Sequence, residues 1–600
     1  MQHIRLSLAR LFRRLPFSPS TTPLQALTYL LGISLFSISF LVFLNSSVSF
    51  VITDLIGVKH GVGDIVGTLG FVDELVALVA CPLWGLISDR AGVRQVAVVG
   101  YALIGLALIL FVQAKNVYPQ LLLARIFFAI GATAAATMVT AILPSLTNDT
   151  GLDAADEDDG PKTPTTVTRS FDSEATITPD RYRQDPRIAQ IRRDSDDRER
   201  SRAGHGRPSA LAGYVGLFTG CGALVALVLF LPLPARFSHL EGVTLADAVR
   251  YSFYVVGLVS FLVAVFVSIG LRGIKGEEGK GWRLLFTFHS TPSDPEVNTS
   301  STRTRILPYR HLLLRSLSLA LSDADIALGY LGGFVARAST VAISLFIPLF
   351  VNAFFIRHGF CQGSPTDPSP ELKRECRQAY VLASILTGVA QLLGLIFAPV
   401  FGYLSSRLAR RRSCVNWPVA VSCMLGMVGY VAFPSLESPE VSDVDGRGGG
   451  PVVLLLAAMM GVSQIGAIVC SLGSLGRGVL KVEETPEREE ETRDADQVTL
   501  TETAEFGEEV RAAGETAPLL EGRSQEQAEQ EDNTRVQLKG SVAGVYSWCG
   551  GAAILLLTKL GGYLFDVWAT GAPFYLMAIF NGMLLFASLS IDVARAARTY

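Results

Sequence analysis

What most constrains this chain is where its charge is not. Apolar stretches at residues 24–45, 65–87, 95–114, 119–146, 209–233, 251–271, 326–354, 379–402, 415–434, 452–476, 541–564 and 572–592 carry almost no ionisable side chains. Each is close to the ~20 residues that a helix needs to cross the hydrocarbon of a bilayer. Ionisable groups are costly at that depth and gather in water instead. Of 600 residues, 50% are hydrophobic and only 18% charged, against roughly 25% charged in soluble domains. The net charge of −3 says little, because the charge is concentrated in a few polar loops. The pattern predicts an all-α polytopic membrane protein with twelve transmembrane helices.

The polar stretch 272–322 divides these helices into six plus six. The expected organisation is an N-terminal segment 1–23, a six-helix bundle 24–271, a linker 272–322, a second bundle 323–594 and a C-terminal segment 595–600. Polar loops 148–207 and 478–538 interrupt the bundles. Like the linker, they combine low hydrophobicity with clustered charge, which predicts disorder. Arg90, Arg94, Arg272, Lys275, Arg310, Arg315, Arg407, Arg410, Arg477 and Lys481 all fall on one side of the membrane. Lys and Arg accumulate on the cytosolic side, so both termini are expected there, although Arg357, Lys373, Arg374 and Arg377 weaken the contrast. The basic N-terminal segment precedes an apolar stretch with no clean small-residue cleavage site, which reads as a first transmembrane helix and not a cleaved leader. The sequon at Asn45 lies near the expected end of that helix, and those at Asn148 and Asn298 lie on cytosolic loops, so no glycan is expected.

One hairpin occurs twice. Gly85-Leu86-Ile87-Ser88-Asp89-Arg90-Ala91-Gly92-Val93-Arg94 joins the second and third stretches, and Gly402-Tyr403-Leu404-Ser405-Ser406-Arg407-Leu408-Ala409-Arg410-Arg411 joins the eighth and ninth. Gly85 aligns with Gly402, Arg90 with Arg407 and Arg94 with Arg411, while Ser406 stands opposite Asp89. The fifth and eleventh stretches repeat a glycine, apolar, aromatic, hydroxyl, any, cysteine, glycine order from Gly216 and Gly544. Two parallel six-helix repeats are a known transporter plan.

The hairpin Gly85-x-x-x-Asp89-Arg90-x-Gly92-x-Arg94 resembles the signature loop of the major facilitator superfamily. Leu121-x-x-x-Arg125 followed by Gly131-Ala132 is similar to that family's helix-four motif, with Ala129 where a glycine is often found. The antiporter motif of helix five is half present, as Gly216, Gly220 and Gly222 without the Gly-Pro pair. The sequence looks most like fungal members, vacuolar ones among them. The resemblance implies alternating access, in which cytosolic hairpins lock and release. It also implies that Asp89 meets the start of helix eleven, near Gly540–Gly544. Gly85, Asp89, Arg90, Gly92, Arg94, Gly402, Arg407 and Arg411 are thus the candidate latch, and Ser406 predicts a weaker lock in the second copy.

Charge inside the membrane is the local guide to a transport path. Asp73 and Glu74 on helix two, Arg125 on helix four and Arg337 on helix seven are the candidates for coupling or substrate contact, either as a protonatable carboxylate with a counter-charge or as a static ion pair. Gln464, with Ser463, Gln391 and Asn45, either faces the cavity or bonds between helices, the latter being the commoner role of such residues. Gly216, Gly220, Gly222, Gly550 and Gly551 are expected to permit close helix packing. Cys361 and Cys376 share an outer loop where a disulfide is chemically permitted. Glu515 with Leu519 and Leu520 resembles a dileucine sorting signal read by an adaptor, which points to the vacuolar membrane, with the plasma membrane as the alternative. There is no phosphate-binding loop, catalytic triad or metal cluster, so neither an enzyme nor a cofactor is expected, and no nucleic-acid partner. The expected function is proton-coupled secondary transport of a small solute by a monomer, with export or vacuolar sequestration favoured. A non-transporting sensor on the same fold is the alternative.

Overall fold

The computed structural model describes residues 15–58, 62–147, 186–239, 242–274, 277, 280–282, 309–357, 377–410, 416–442, 448–480 and 538–599. Twelve helices in it are long and apolar enough to cross a membrane. They are α1 (Pro23–Ile56), α2 (Ile65–Ala91), α3 (Val93–Phe111), α4 (Val117–Thr147), α5 (Gly206–Ser238) and α6 (Leu245–Gly270), then α7 (Ala324–Arg357), α8 (Val381–Ala409), α9 (Trp417–Ser435), α10 (Val452–Leu480), α11 (Lys539–Val567) and α12 (Ala572–Ala597). The chain is a multi-pass integral membrane protein with the twelve spans that its hydropathy predicts.

Three expectations need correction. First, α1 runs on to Ile56, so Asn45 and its sequon lie inside the helix and not near its end. Second, the helix that becomes α5 begins at Pro186, well inside the stretch 148–207 expected to be a disordered loop. Low hydrophobicity does not prevent a helix here. The segment continues into an apolar helix, which spares it a nucleation step of its own. Third, part of the linker 272–322 is ordered: Tyr309–Ser322 is a helix, and Glu277 and Gly281 bond to the α2–α3 hairpin.

Each half has its own aromatic core. Phe253 lies 4.9 Å from Phe43 and 5.8 Å from Phe111 in the first. Phe350, Phe433 and Phe574 form a triangle with centroids 5.2–5.7 Å apart in the second. Within lipid, helices associate through close van der Waals contact at small residues and through interhelical hydrogen bonds. Backbone turns widened to i→i+5 bonding recur in the first and fifth helices of both halves, at Thr28–Ser34, Ala226–Phe230, Ala342–Phe346 and Leu557–Gly561. Such turns often mark functional positions.

The halves meet along two related seams, α2 against α11 and α5 against α8. The second helix of each half therefore packs on the fifth helix of the other. At each seam two backbones touch through glycine. A methyl group at Gly85 would come within 2.5 Å of Gly540 O and 3.0 Å of Gly544 Cα, and one at Gly402 within 2.7 Å of Gly213 Cα. Gly85 and Gly402 are the aligned glycines of the two hairpins, so the sequence repeat is also a repeat in space. At the opposite end, added methyl groups at Gly67, Gly70 and Gly388 would meet nothing within 4 Å. There, Lys559 Nζ over the Phe71 ring, at 4.3 Å, still joins α11 to α2.

Candidate functional site

The hairpin end is built around glycine and one carboxylate. Gly92 holds a φ of +99°, a backbone conformation that side chains resist, and so lets α2 end at Ala91 and α3 begin at Val93. The turn aims Asp89 at the first residues of α11. Its Oδ1 accepts from Gly540 N at 2.7 Å and its Oδ2 from Ser541 N at 2.7 Å, while Ser541 Oγ donates to Oδ2 as well. A helix N-terminus presents unsatisfied N–H groups and roughly half a positive charge, so a buried carboxylate is well placed there. Arg90 lies with Cζ 3.6 Å from the centroid of the Tyr309 ring. Arg94 is half-buried on the first turn of α3, outside this set of contacts.

A second carboxylate, not singled out from the sequence, completes the seam. Glu277 Oε2 accepts from Val93 N at 2.7 Å and caps α3. Its Oε1 is 2.5 Å from Lys539 Nζ and 3.1 Å from Lys280 Nζ. Lys539, the first residue of α11, has a side chain with 0% exposure and also donates to Ser145 Oγ on α4 at 2.7 Å. Burial opposes ionisation of Glu277, but the Lys539 and Lys280 ammonium groups outweigh it and hold its pKa below the ordinary 4.5. The linker thus clasps both halves. The signal for it was faint: Gly-Glu-Glu-Gly-Lys-Gly at 276–281 alternates charge with glycine, as a tight turn does and a disordered tail need not.

Among the described residues the second hairpin carries no such cap. Ser406 is buried, and exposed Arg407 only approaches Tyr403 Oη, at 3.5 Å. Arg411 lies outside the described residues. The α5–α8 side is closed instead by Arg477 of α10, which donates to Ser209 Oγ of α5 and, at 2.9 Å, to Ser474 Oγ. Asp325, at the start of α7, holds Arg477 at 3.5 Å and Arg595 at 3.1 Å.

The intramembrane charges form one cluster. Asp73 and Arg125 lie at equal depth, 65 to 73 along α2 and 117 to 125 along α4, about 12 Å from the helix starts at 1.5 Å per residue. Arg125 Nε donates to both Asp73 oxygens at 2.9 Å, and Nη2 donates to Asp73 Oδ2 and to Asn45 Oδ1 on α1. This pair is confined to the first half, and Arg125 is 3% exposed. Glu74, the next residue, lies toward the other half, where its Oε2 borders Gly551 of α11 and Arg337 of α7 borders Gly550. A methyl group at Gly550 would come within 2.7 Å of Arg337 Cγ, and one at Gly551 within 3.8 Å of Glu74 Oε2. Expected only to pack helices, these glycines also make room for the charged side chains.

Gln464 is buried and donates to Thr340 Oγ1 of α7 at 2.9 Å, an interhelical bond, and Ser463 bonds Asn581 at 3.3 Å. Gln391 is exposed. A methyl group at Gly216 would meet Ala398 and Ile465 at 3.4 Å, while one at Gly220 would overlap Leu395 and one at Gly222 would overlap Leu35 O. Cys361 and Cys376, and Glu515, Leu519 and Leu520, lie outside the described residues.

Residues 35–154, which contain the hairpin and Arg125, match the family model described as Major Facilitator Superfamily. No curated protein matches the chain in sequence. Among solved structures, a bacterial homologue of the iron transporter ferroportin in an outward-facing state is 14% identical, with a TM-score of 0.50, over 96% of this chain and 100% of that one. The proton:xylose symporter bound to 6-bromo-6-deoxy-D-glucose is 12% identical over 94% of each chain, with a TM-score of 0.48. The E. coli fucose:proton symporter is 12% identical over 94% and 96%, with a TM-score of 0.44. At such identities the likeness is one of fold. Residues 35–154 thus carry the match to the Major Facilitator Superfamily, and the twelve helices as a whole share the fold of the ferroportin homologue.

Proposed function

We propose that this protein is a secondary active transporter of a small solute, working by alternating access and coupled to protons. One observation carries it: Asp89 on one half caps the first amides of α11 on the other, at the end where the halves meet. Each bond of that cap is lost if the halves rock apart and regained when they close. Arg125–Asp73 and the aromatic cores hold each half together from within, whereas this contact runs between the halves and can be made and broken as they rock. With the hairpin end cytosolic, as the arginine distribution implies, the described state faces outward, like the state named for the ferroportin homologue.

The coupling group is Glu74. Its neighbour Asp73 is held within its own half by Arg125, which also bonds Asn45, whereas Glu74 and Arg337 of the other half border the adjacent glycines Gly551 and Gly550. Rocking the halves therefore changes the counter-charge of Glu74 and leaves that of Asp73 in place. A carboxylate whose counter-charge moves is one whose proton affinity moves with it. The direction we infer is out of the cytosol, across a vacuolar membrane, on the strength of the fungal resemblance and the Glu515, Leu519, Leu520 motif.

Proteoliposomes of the purified chain with an imposed pH gradient test this against a panel of neutral sugars, nucleosides, organic anions and organic cations. At least one solute is expected to move with the gradient. Glu74→Gln is expected to remove the gradient's effect while leaving solute exchange, and Asp73→Asn to impair both. Undiminished coupled flux in the double variant would sink the coupling assignment. Saturable binding without flux of any solute would favour the sensor.

A further inference from the structure

The helix Tyr309–Ser322 ends one residue before Asp323, the N-cap of α7, whose Oδ1 accepts from Asp325 N at 2.9 Å. It therefore lies where α7 enters the membrane. At about 100° per residue its side chains fall into three stripes. Leu312, Ser316 and Leu319 are buried against the protein, and Ser316 O accepts from Tyr330 Oη at 3.1 Å. Leu314, Leu317 and Leu321 form a second stripe and are 53%, 49% and 93% exposed. Arg310 stands at the head of that stripe. His311, Arg315, Ser318 and Ser322 form the third and are exposed. No acidic residue occurs from 309 to 322.

A helix with protein on one side and water all round the rest has no use for a continuous leucine stripe. Three environments are needed: protein, an apolar layer and water. A membrane surface supplies the last two side by side. Apolar side chains then sink into the acyl boundary while arginines reach the phosphates.

We propose that helix Tyr309–Ser322 lies in the plane of the cytosolic leaflet. Its leucine stripe sits in the acyl boundary, and Arg310 and Arg315 bind the headgroups of anionic lipids. The charge decides for an anionic leaflet over a neutral one, because two arginines without a neighbouring acid meet complementary charge there. The helix also touches the latch, since its first residue, Tyr309, carries Arg90 on its ring. Leaflet charge therefore acts on the same hairpin that Asp89 closes. The choice of leaflet rests on the cytosolic placement proposed above. The contact with lipid does not, and it is read independently of flux.

The test is Leu317→Trp in the full chain, reconstituted in vesicles of phosphatidylcholine with or without phosphatidylglycerol. Emission added over wild type is expected to be quenched by lipid brominated on its acyl chains and spared by aqueous acrylamide. Brominated phosphatidylglycerol is expected to quench better than brominated phosphatidylcholine at equal mole fraction, each arginine raising local enrichment by up to about fivefold. Arg310→Gln with Arg315→Gln is expected to erase that preference. Quenching by acrylamide alone would overturn the proposal in favour of a water-facing stripe. Emission that depends on protein-to-lipid ratio would overturn it in favour of a second copy. Equal quenching by the two brominated lipids would overturn the anionic preference.

Discussion

Asp89→Asn is expected to lower transport at least about tenfold and to depopulate the state closed at the hairpin end. The carboxylate accepts from two backbone amides and one hydroxyl, all at the start of α11. Asparagine keeps the shape but offers one oxygen, so its amide group points N–H donors at a backbone N–H. Hydrogen bonds to a charged group are worth about 1.5–3 kcal/mol each, and the helix-terminus charge adds up to about 2 kcal/mol when partly buried. A net loss of about 3 kcal/mol, allowing for the solvation that Asp89 regains on opening, shifts the closed-to-open ratio by about a hundredfold. Distances between spin labels on the cytosolic ends of α2 and α11 are expected to lengthen, and flux in proteoliposomes to fall with them. Ser406→Ala is expected to change flux less than about twofold, since that side chain holds no helix terminus across the seam. Equal effects at the two positions would refute a latch centred on Asp89.

The asymmetry between Asp89 and Ser406 was legible in the sequence because it is local. Each hairpin follows from glycine spacing and from charge gathered at one edge of the membrane. The twelve helices follow from the exclusion of charge from long apolar runs. What the sequence did not disclose is pairing at long range. Asp73 and Glu74 are adjacent, yet a rotation of about 100° between them sends one to Arg125 in its own half and the other toward Arg337 in the opposite half. Nothing in the local pattern says which takes which. Gly213 opposite Gly402, and Tyr309 beneath Arg90, are likewise contacts between segments that composition treats separately. The linker reads as disordered because its charges read as solvated, whereas Glu277 is largely enclosed between two lysines and a helix terminus.

That clasp gives the second large effect. Glu277→Gln is expected to destabilise the folded protein by about 3–5 kcal/mol, the usual consequence of removing one partner of a buried ion pair. It strands the Lys539 ammonium, whose side chain has no exposure and whose one remaining polar contact among the described residues is Ser145. Lys539→Met is expected to cost less, because Glu277 keeps Lys280 and the Val93 amide. The combination Glu277→Gln with Lys539→Met is expected to recover most of the loss, since glutamine still accepts from Val93 N and methionine fills the lysine's space without a charge. Acidity separates a charge effect from a packing effect. The carboxyl of Glu277 is held below its ordinary 4.5, so its contribution is complete above that value and drains away as pH falls through the lower value of the folded state. Thermal unfolding followed by tryptophan emission should therefore show a decline below about pH 4.5 in the wild type that is smaller in the double variant. A double variant as unstable as Glu277→Gln alone, with an unchanged acid decline, would mean that Lys539 and Glu277 act separately and that the linker does not join the two halves.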